Sequence, residues 1–143
     1  MSVPLIHFFT EDTNYQLRQR TEIRLWLNTI VKKEKYVITE LNYIFCSDEY
    51  LLQINKDFLK HDYYTDIITF DNSEVKGEIE GDLFISIDRV RDNAKQQQTT
   101  IKDELHRVLV HGLLHLTGYK DKTKEESILM RKKEDKALAL RSF

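Results

Sequence analysis

His111 and His115 lie four residues apart in an apolar run that ends at Leu116. On an α-helix with about 3.6 residues per turn, side chains four positions apart leave the same face, so the two imidazoles can bind one ion. Gly118 is placed to end this helix, because glycine readily adopts the left-handed backbone conformation found after the last helical turn. The chain then reverses and carries Asp121 back toward the histidines. The spacing therefore predicts a metal site with three ligands: His111, His115 and Asp121.

Three protein ligands leave one position of a tetrahedral zinc ion open, which is typical of catalytic zinc sites. Structural zinc sites are usually closed by four ligands that include cysteines, and the single cysteine of this chain, Cys46, is distant from the histidines in sequence. Zinc in an open site lowers the pKa of bound water to about 7 and polarises a phosphoryl oxygen, so phosphodiester hydrolysis is feasible. We expect one Zn²⁺ per chain, with other divalent ions as alternatives because carboxylate is a harder ligand than imidazole.

A similar histidine pair occurs in metallopeptidases, whose H-E-x-x-H motif places a catalytic glutamate directly after the first histidine. Gly112 occupies that position in this chain, which disfavours peptidase chemistry and leaves it as an alternative. Because glycine has no side chain, Gly112 should allow another backbone or a substrate to approach the helix closely.

Three sequence blocks carry a resemblance to a known family. Residues 111–119 read HGLLHLTGY, residues 55–70 read NKDFLKHDYYTDIITF and residues 81–86 read GDLFIS. In that order, they resemble the H-G-x-L-H-L-x-G-Y-D-H signature, the N-x-x-[FY]-R-x-x-D-x-P-T-D-V-L-S-F segment and the G-D-I-x-I-S strand of the YbeY family. The chain is thus similar to bacterial ribosomal-RNA maturation factors described as zinc-dependent, single-strand-specific endoribonucleases.

The resemblance implies cleavage of single-stranded RNA in late rRNA maturation and ribosome quality control, with rRNA precursors and the small ribosomal subunit as partners. Asp121 stands where the family has its third histidine ligand, and carboxylate oxygen is an acceptable zinc ligand. Leu59 and Tyr64 stand where the family has an arginine and a proline. The missing arginine favours a second hypothesis, a ribosome-assembly factor that binds RNA with weak or no nuclease activity.

Candidates for contact with the substrate lie in two polar segments. Lys60 and His61 could supply the positive charge of the missing arginine, and Asp66 ends the same loop. Lys120 and Lys122 flank the third predicted ligand, and cations at the mouth of a metal site attract phosphate. We predict substrate binding by Lys60, His61, Lys120 and Lys122, and catalytic help from Lys60, His61 or Asp66. The sequence identifies no general acid or base.

Composition limits the remaining classes of protein. The 143 residues fit one domain, spanning 1–143, and 41% hydrophobic with 32% charged residues is typical of a folded chain. The net charge of −2 gives no overall signature of a nucleic-acid binder, so any RNA site must be local. No apolar run approaches the ~20 residues of a membrane span, and the N-terminus lacks a signal-peptide pattern. We therefore expect a cytoplasmic protein that has no membrane contact.

Apolar periodicity predicts the elements that position the site. Alternation and short apolar runs predict four strands, at about 3–9, 36–46, 67–70 and 82–87. Spacings of three and four predict five helices, at about 17–33, 48–59, 88–98, 101–116 and 124–139. Because these elements do not alternate strictly, we predict an α+β domain with one mixed sheet of about four strands covered by about five helices. The histidine helix should be central and should end at a cleft over which loop 59–66 closes.

Overall fold

Nine elements follow one another along residues 5–143, the part of the chain that this computed structural model describes. The strands are β1 (Ile6–Thr10), β2 (Val37–Cys46), β3 (Ile67–Asp71) and β4 (Glu78–Ser86). The helices are α1 (Arg20–Lys33), α2 (Asp48–Leu59), α3 (Ile87–Gln96), α4 (Ile101–Leu116) and α5 (Lys124–Ala139). Within these residues the predicted numbers of strands and helices are confirmed. The first strand was predicted from residue 3, and its first two positions lie outside the described residues.

The four strands form one mixed sheet in the order β1-β2-β4-β3. Strand β2 pairs in parallel with β1 and β4, whereas β3 and β4 form an antiparallel hairpin. The predicted α+β class is therefore confirmed. Strand β4 begins at Glu78, earlier than the predicted residue 82, so Gly81 lies within the strand and not in the connection before it. A Cβ atom at Gly81 would lie 2.7 Å from the carbonyl oxygen of Phe70, so glycine permits the close pairing with β3.

Helices cover both faces of the sheet. Helices α1 and α4 bury their apolar side chains against one face, where the main core contains residues such as Leu27, Tyr43 and Leu109. Helix α2 covers the opposite face through Leu51, which packs with Ile68. Among the described residues, no helix is both long enough and apolar enough to cross a membrane.

Helix α4 is central, as predicted, and packs against α1, α3, α5 and the strands β3 and β4. It approaches the sheet most closely at Gly112, where a Cβ atom would lie 2.4 Å from Leu83 Cδ2 and 2.6 Å from Ile67 Cδ1. Side chains of the sheet therefore occupy the space that Gly112 leaves free, and the idea that a substrate approaches there is wrong. The tight packing fixes the position of the histidine-bearing end of α4.

Candidate metal centre

The side chains of His111, His115 and Asp121 meet at the C-terminal end of α4. The Nε2 atoms of the two histidines lie 3.1 Å apart, and Asp121 Oδ2 lies 3.1 Å from His111 Nε2 and 3.3 Å from His115 Nε2. Within residues 5–143, this is the only group of three or more histidine, cysteine or acidic side chains whose donor atoms converge in this way. We refer to these three residues as the metal centre. The fold brings together the residues predicted as ligands, and ligation itself stays a prediction.

The turn after α4 brings Asp121 back to the histidines. Thr117 caps the helix, and Gly118 then adopts a φ of 101°, a left-handed conformation that glycine reaches without a steric cost. The N–H of Gly118 donates to the carbonyl of His115, and the N–H of Tyr119 donates to the carbonyl of Leu114, each at 3.1 Å. These bonds reverse the chain within two residues, so Asp121 lies beside the helix it has just left.

Hydrogen bonds at the Nδ1 atoms set the orientation of both imidazoles. His115 Nδ1 lies 2.9 Å from the carbonyl oxygen of Tyr119, which can only accept, so this nitrogen carries the proton. His111 Nδ1 likewise donates to Glu134 Oε2 at 2.7 Å. Each Nε2 atom then has a free lone pair, and both lone pairs face the carboxylate of Asp121. This is the tautomer that a histidine needs to bind a metal through Nε2.

The three donor atoms fit a tetrahedral ion. With metal–ligand distances of about 2.0–2.1 Å, two ligands of a tetrahedral zinc ion lie roughly 3.3 Å apart. The observed separations of 3.1 and 3.3 Å are close to that value. Two nitrogen lone pairs and a carboxylate oxygen repel one another at such distances, and a cation between them removes the repulsion. The donor set suits zinc, and its carboxylate also suits harder divalent ions.

Glu134 on α5 supports His111 and was not among the residues predicted from the sequence. It is only 4% exposed, and while Oε2 accepts from His111, Oε1 accepts from Arg107 Nη1 at 3.0 Å. Arg107 also donates to Asp135 Oδ1 at 2.7 Å. A buried carboxylate needs such a compensating charge. A carboxylate on the second nitrogen of a metal-binding histidine is a common arrangement, because it fixes the ring and raises its basicity.

A cavity of about 240 Å³ adjoins the metal centre. His111, Asp121 and Glu134 are among the residues that line it. The other polar lining comes from four parts of the fold, namely Asp66, then Asn93 and Gln97 at the end of α3, Glu104 and Arg107 on α4, and Ser127 and Arg131 on α5. Of loop 59–66, only Asp66 lines this cavity, so the rest of the loop does not close over it as expected.

Burial raises the pKa of two carboxyl groups that line the cavity. Desolvation is the largest cause for Asp66 and outweighs the opposing influence of His111. Desolvation also raises the pKa of Glu104, and the negative charge of Asp66 adds to that effect. For His111, burial acts to lower the pKa, but the hydrogen bond and charge of Glu134, with smaller contributions from Asp121 and Asp66, raise it overall. Three carboxylates, those of Glu134, Asp121 and Asp66, thus act together to raise the pKa of the first histidine.

The four residues predicted to bind substrate are exposed, and none of their side chains hydrogen-bonds to the metal centre within the described residues. Lys60 Nζ lies 3.5 Å from the carbonyl oxygen of Asp57. The ring of His61 stacks on Tyr63 at a centroid distance of 5.1 Å. Their roles, with those of Lys120 and Lys122, stay predictions.

The fold and this donor set define a class of protein: a small α+β domain whose central helix presents a candidate three-donor metal centre beside a polar cavity. Comparisons with known proteins narrow the class. The sequence profile described as Endoribonuclease YbeY matches residues 6–141. The chain therefore belongs to the Endoribonuclease YbeY family, and the resemblance noted from the three sequence blocks is confirmed.

Individual relatives match over nearly their whole length. Endoribonuclease YbeY from Cytophaga hutchinsonii is 76% identical over 143 residues, which cover 100% of both chains. Endoribonuclease YbeY from Porphyromonas gingivalis is 44% identical over 135 residues, which cover 94% of this chain and 89% of that one. A solution structure of a protein from Thermotoga maritima has a TM-score of 0.63 and 29% identity, covering 93% of this chain and 86% of that one.

Proposed function

We propose that this chain is a metal-dependent endoribonuclease that hydrolyses phosphodiester bonds of single-stranded RNA at the metal centre. The observation that carries the proposal is the convergence of two Nε2 lone pairs and the Asp121 carboxylate in a member of the Endoribonuclease YbeY family. One zinc ion per chain is the proposed cofactor, with other divalent ions as alternatives.

A zinc ion held by these residues supplies Lewis-acid polarisation of a phosphoryl oxygen and activation of a water molecule. His111 and His115 present Nε2 because Glu134 and the Tyr119 carbonyl hold their Nδ1 protons. Asp66 lines the cavity beside His111, and burial raises its pKa, so it gives up or takes a proton more readily near neutral pH than an exposed aspartate does. Asp66 is therefore our candidate for proton transfer.

Features of the surface favour a flexible single strand as the substrate. Tyr63 is 55% exposed and Tyr64 is 48% exposed, so their rings are available to stack on bases. We propose that Lys60 and His61, which are exposed in the same loop, contact phosphates together with Lys120 and Lys122, which flank Asp121. A flexible strand can enter such a site, whereas a stiff duplex keeps its bases stacked inside.

We further propose that the chain acts as one domain on rRNA precursors of the small ribosomal subunit in the cytoplasm, as the family resemblance implies. Nothing in the comparisons favours a ribosome-assembly factor that lacks nuclease activity or a metallopeptidase. Gly112 has no side chain that could act as the catalytic group where a peptidase has its glutamate, and it packs directly against the sheet.

The substrate preference of the zinc-loaded chain tests this function. We expect it to cut a labelled single-stranded RNA faster than the same strand in a duplex, to leave casein intact and to lose activity in chelator. Cleavage of the duplex at an equal rate, or cleavage that a chelator leaves unchanged, would be incompatible with the proposal.

The salt dependence of binding tests the predicted phosphate contacts. For single strands, each phosphate contact contributes about 0.7 to the slope of log affinity against log salt. Lys60→Ala and Lys122→Ala should each reduce that slope by about this amount, whereas Lys76→Ala, an exposed lysine between β3 and β4, should leave it unchanged. If either test variant keeps the parent slope, that lysine does not contact phosphate.

Acid should release the metal ion. A proton competes for each ligating imidazole, whose ordinary pKa is about 6.5, and the pKa of His111 is raised above that value mainly because Glu134 outweighs the effect of burial. Protonation of His111 therefore begins at a higher pH than for an isolated imidazole, and occupancy should fall as the pH decreases through mildly acidic values. Elemental analysis after equilibration at stepwise lower pH measures this loss. Full occupancy at about pH 5 would contradict the assignment of the histidines as ligands.

A further inference from the structure

Glu104 is a buried carboxylate that the metal centre does not use. It is 4% exposed and lines the cavity, and its Oε1 atom has no hydrogen-bond partner within residues 5–143. It stands seven positions before His111 on α4, almost two helical turns, so both side chains leave a similar face of the helix. A buried acceptor without a partner costs folding free energy. Because Glu104 lines a cavity that reaches the metal centre, its unpaired oxygen points to a ligand that enters the cavity and donates a hydrogen bond to it.

The size of the cavity allows more than a bound water. Its volume is about 240 Å³. Water occupies about 30 Å³ per molecule, so the cavity has room for roughly eight water molecules. A single water molecule would be enough to donate a hydrogen bond to Glu104 Oε1. The space therefore suits a group as large as a planar heterocycle that displaces several waters at once.

The lining favours a neutral ligand with both donors and acceptors. Arg107 and Arg131 oppose a second cation in the cavity, and the carboxylates of Asp66 and Glu104 oppose a phosphate. The side-chain amides of Asn93 and Gln97 offer both donors and acceptors. Nucleobases combine an uncharged planar ring with donors and acceptors on their edges.

We propose that this cavity binds one unstacked nucleobase of the RNA strand held at the metal centre, and that Glu104 selects guanine. The inference rests on the proposed function, because the strand must pass the metal centre for its base to enter the cavity. Guanine presents N1–H and an amino group side by side on one edge, and a carboxylate can accept from both. Adenine and cytosine present one amino group beside an acceptor nitrogen, and uracil presents one N–H between two carbonyls. Guanine therefore offers a carboxylate the best-matched edge.

Binding of matched oligonucleotides to the zinc-loaded full chain tests the proposal. The probes are fluorescent single-stranded oligouridylates with phosphorothioate linkages, which resist cleavage, and with one central guanosine, inosine or adenosine. The parent should bind the guanosine strand roughly tenfold more tightly than the adenosine strand, the discrimination that a good pair of hydrogen bonds to a base edge provides. Inosine lacks the amino group and should fall between them.

Glu104→Gln retains the size of the side chain and replaces one acceptor oxygen with a donor, so the ratio of its affinities for the guanosine and adenosine strands should fall to about one. Glu22→Gln, at an exposed position in the first turn of α1, should retain the preference. Thermal melting of both variants checks that they are folded. Equal binding of the three strands by the parent, as expected if Glu104 only binds water, overturns the proposal, and so does a preference that survives in Glu104→Gln.

The result also separates this inference from the proposed function. A guanosine preference that depends on Glu104, in a chain that does not cut ordinary single-stranded RNA with zinc, would support the base site and refute the nuclease. Zinc-dependent cleavage without a base preference in binding would do the reverse.

Discussion

Asp121→Ala is expected to weaken zinc binding more than any other single change in this chain outside the two histidines. The substitution removes one of three ligands, so the loss should exceed the roughly 10–100-fold that loss of an outer-shell partner costs. The side chain of Asp121 is 38% exposed and belongs to a turn, so its removal should leave most of the fold intact. Zinc affinity from competition with a fluorescent chelator, together with thermal melting, measures both effects.

Asp121→His provides the matched comparison. Imidazole is an excellent zinc ligand, so this variant should keep or tighten zinc binding while Asp121→Ala loses it. Asp62→Ala removes an aspartate whose side chain is 80% exposed and pairs with Lys56, and it should bind zinc as the parent does. The rival view is that Asp121 makes only a weak surface ion pair, worth at most about 1 kcal/mol. Equal zinc affinity in the parent and both Asp121 variants would remove Asp121 from the metal centre.

Glu134→Gln should lower zinc affinity by roughly 10–100-fold, although Glu134 contacts Nδ1 of His111 and not the Nε2 atom that would hold the ion. The amide is a weaker acceptor for the Nδ1 proton of His111, so the ring is held less firmly and its Nε2 is less basic. It also removes the charge that pairs with Arg107. Zinc affinity, together with the ¹⁵N shifts of His111 that distinguish the two tautomers, reports the effect directly.

Asp135→Asn is the control for Glu134→Gln. Asp135 pairs with the same arginine, Arg107, but its side chain is 60% exposed, and within residues 5–143 His111 hydrogen-bonds to Glu134 and not to Asp135. If support of His111 is the role of Glu134, Asp135→Asn should bind zinc nearly as the parent does and keep the His111 tautomer. An equal loss of affinity in the two variants would show that pairing with Arg107, and not the contact with His111, is what matters.

The predicted ligands could be read from the sequence because their geometry is local. Helical periodicity aligns His111 with His115, and Gly118 reverses the chain within two residues to bring Asp121 back. Glu134 could not be found in this way. It lies 23 residues from His111 in sequence and reaches it only because α5 packs on α4. The acidic residues of α5 give no sign of which one faces inward.

The arrangement of loop 59–66 also depends on tertiary contacts that could not be predicted from the sequence. The buried side chain of Asn55 donates to the carbonyl of Tyr63 at 2.9 Å, and the N–H of His61 donates to the carbonyl of Asn55 at 3.1 Å. These bonds hold the middle of the loop against α2, so only Asp66 lines the cavity. A polar loop before a strand indicates a turn but does not show which of its residues will face a site.

The central claim is that RNA is cleaved at the metal centre. Titrating zinc into the metal-free chain, while the initial rate of single-stranded RNA cleavage is recorded, tests this claim most directly. The rate should rise in proportion to added zinc and stop rising at one equivalent per chain, and Asp121→Ala should stay inactive over the same range. Cleavage by the metal-free chain in chelator at the full rate, or the same titration curve for Asp121→Ala, would contradict the account.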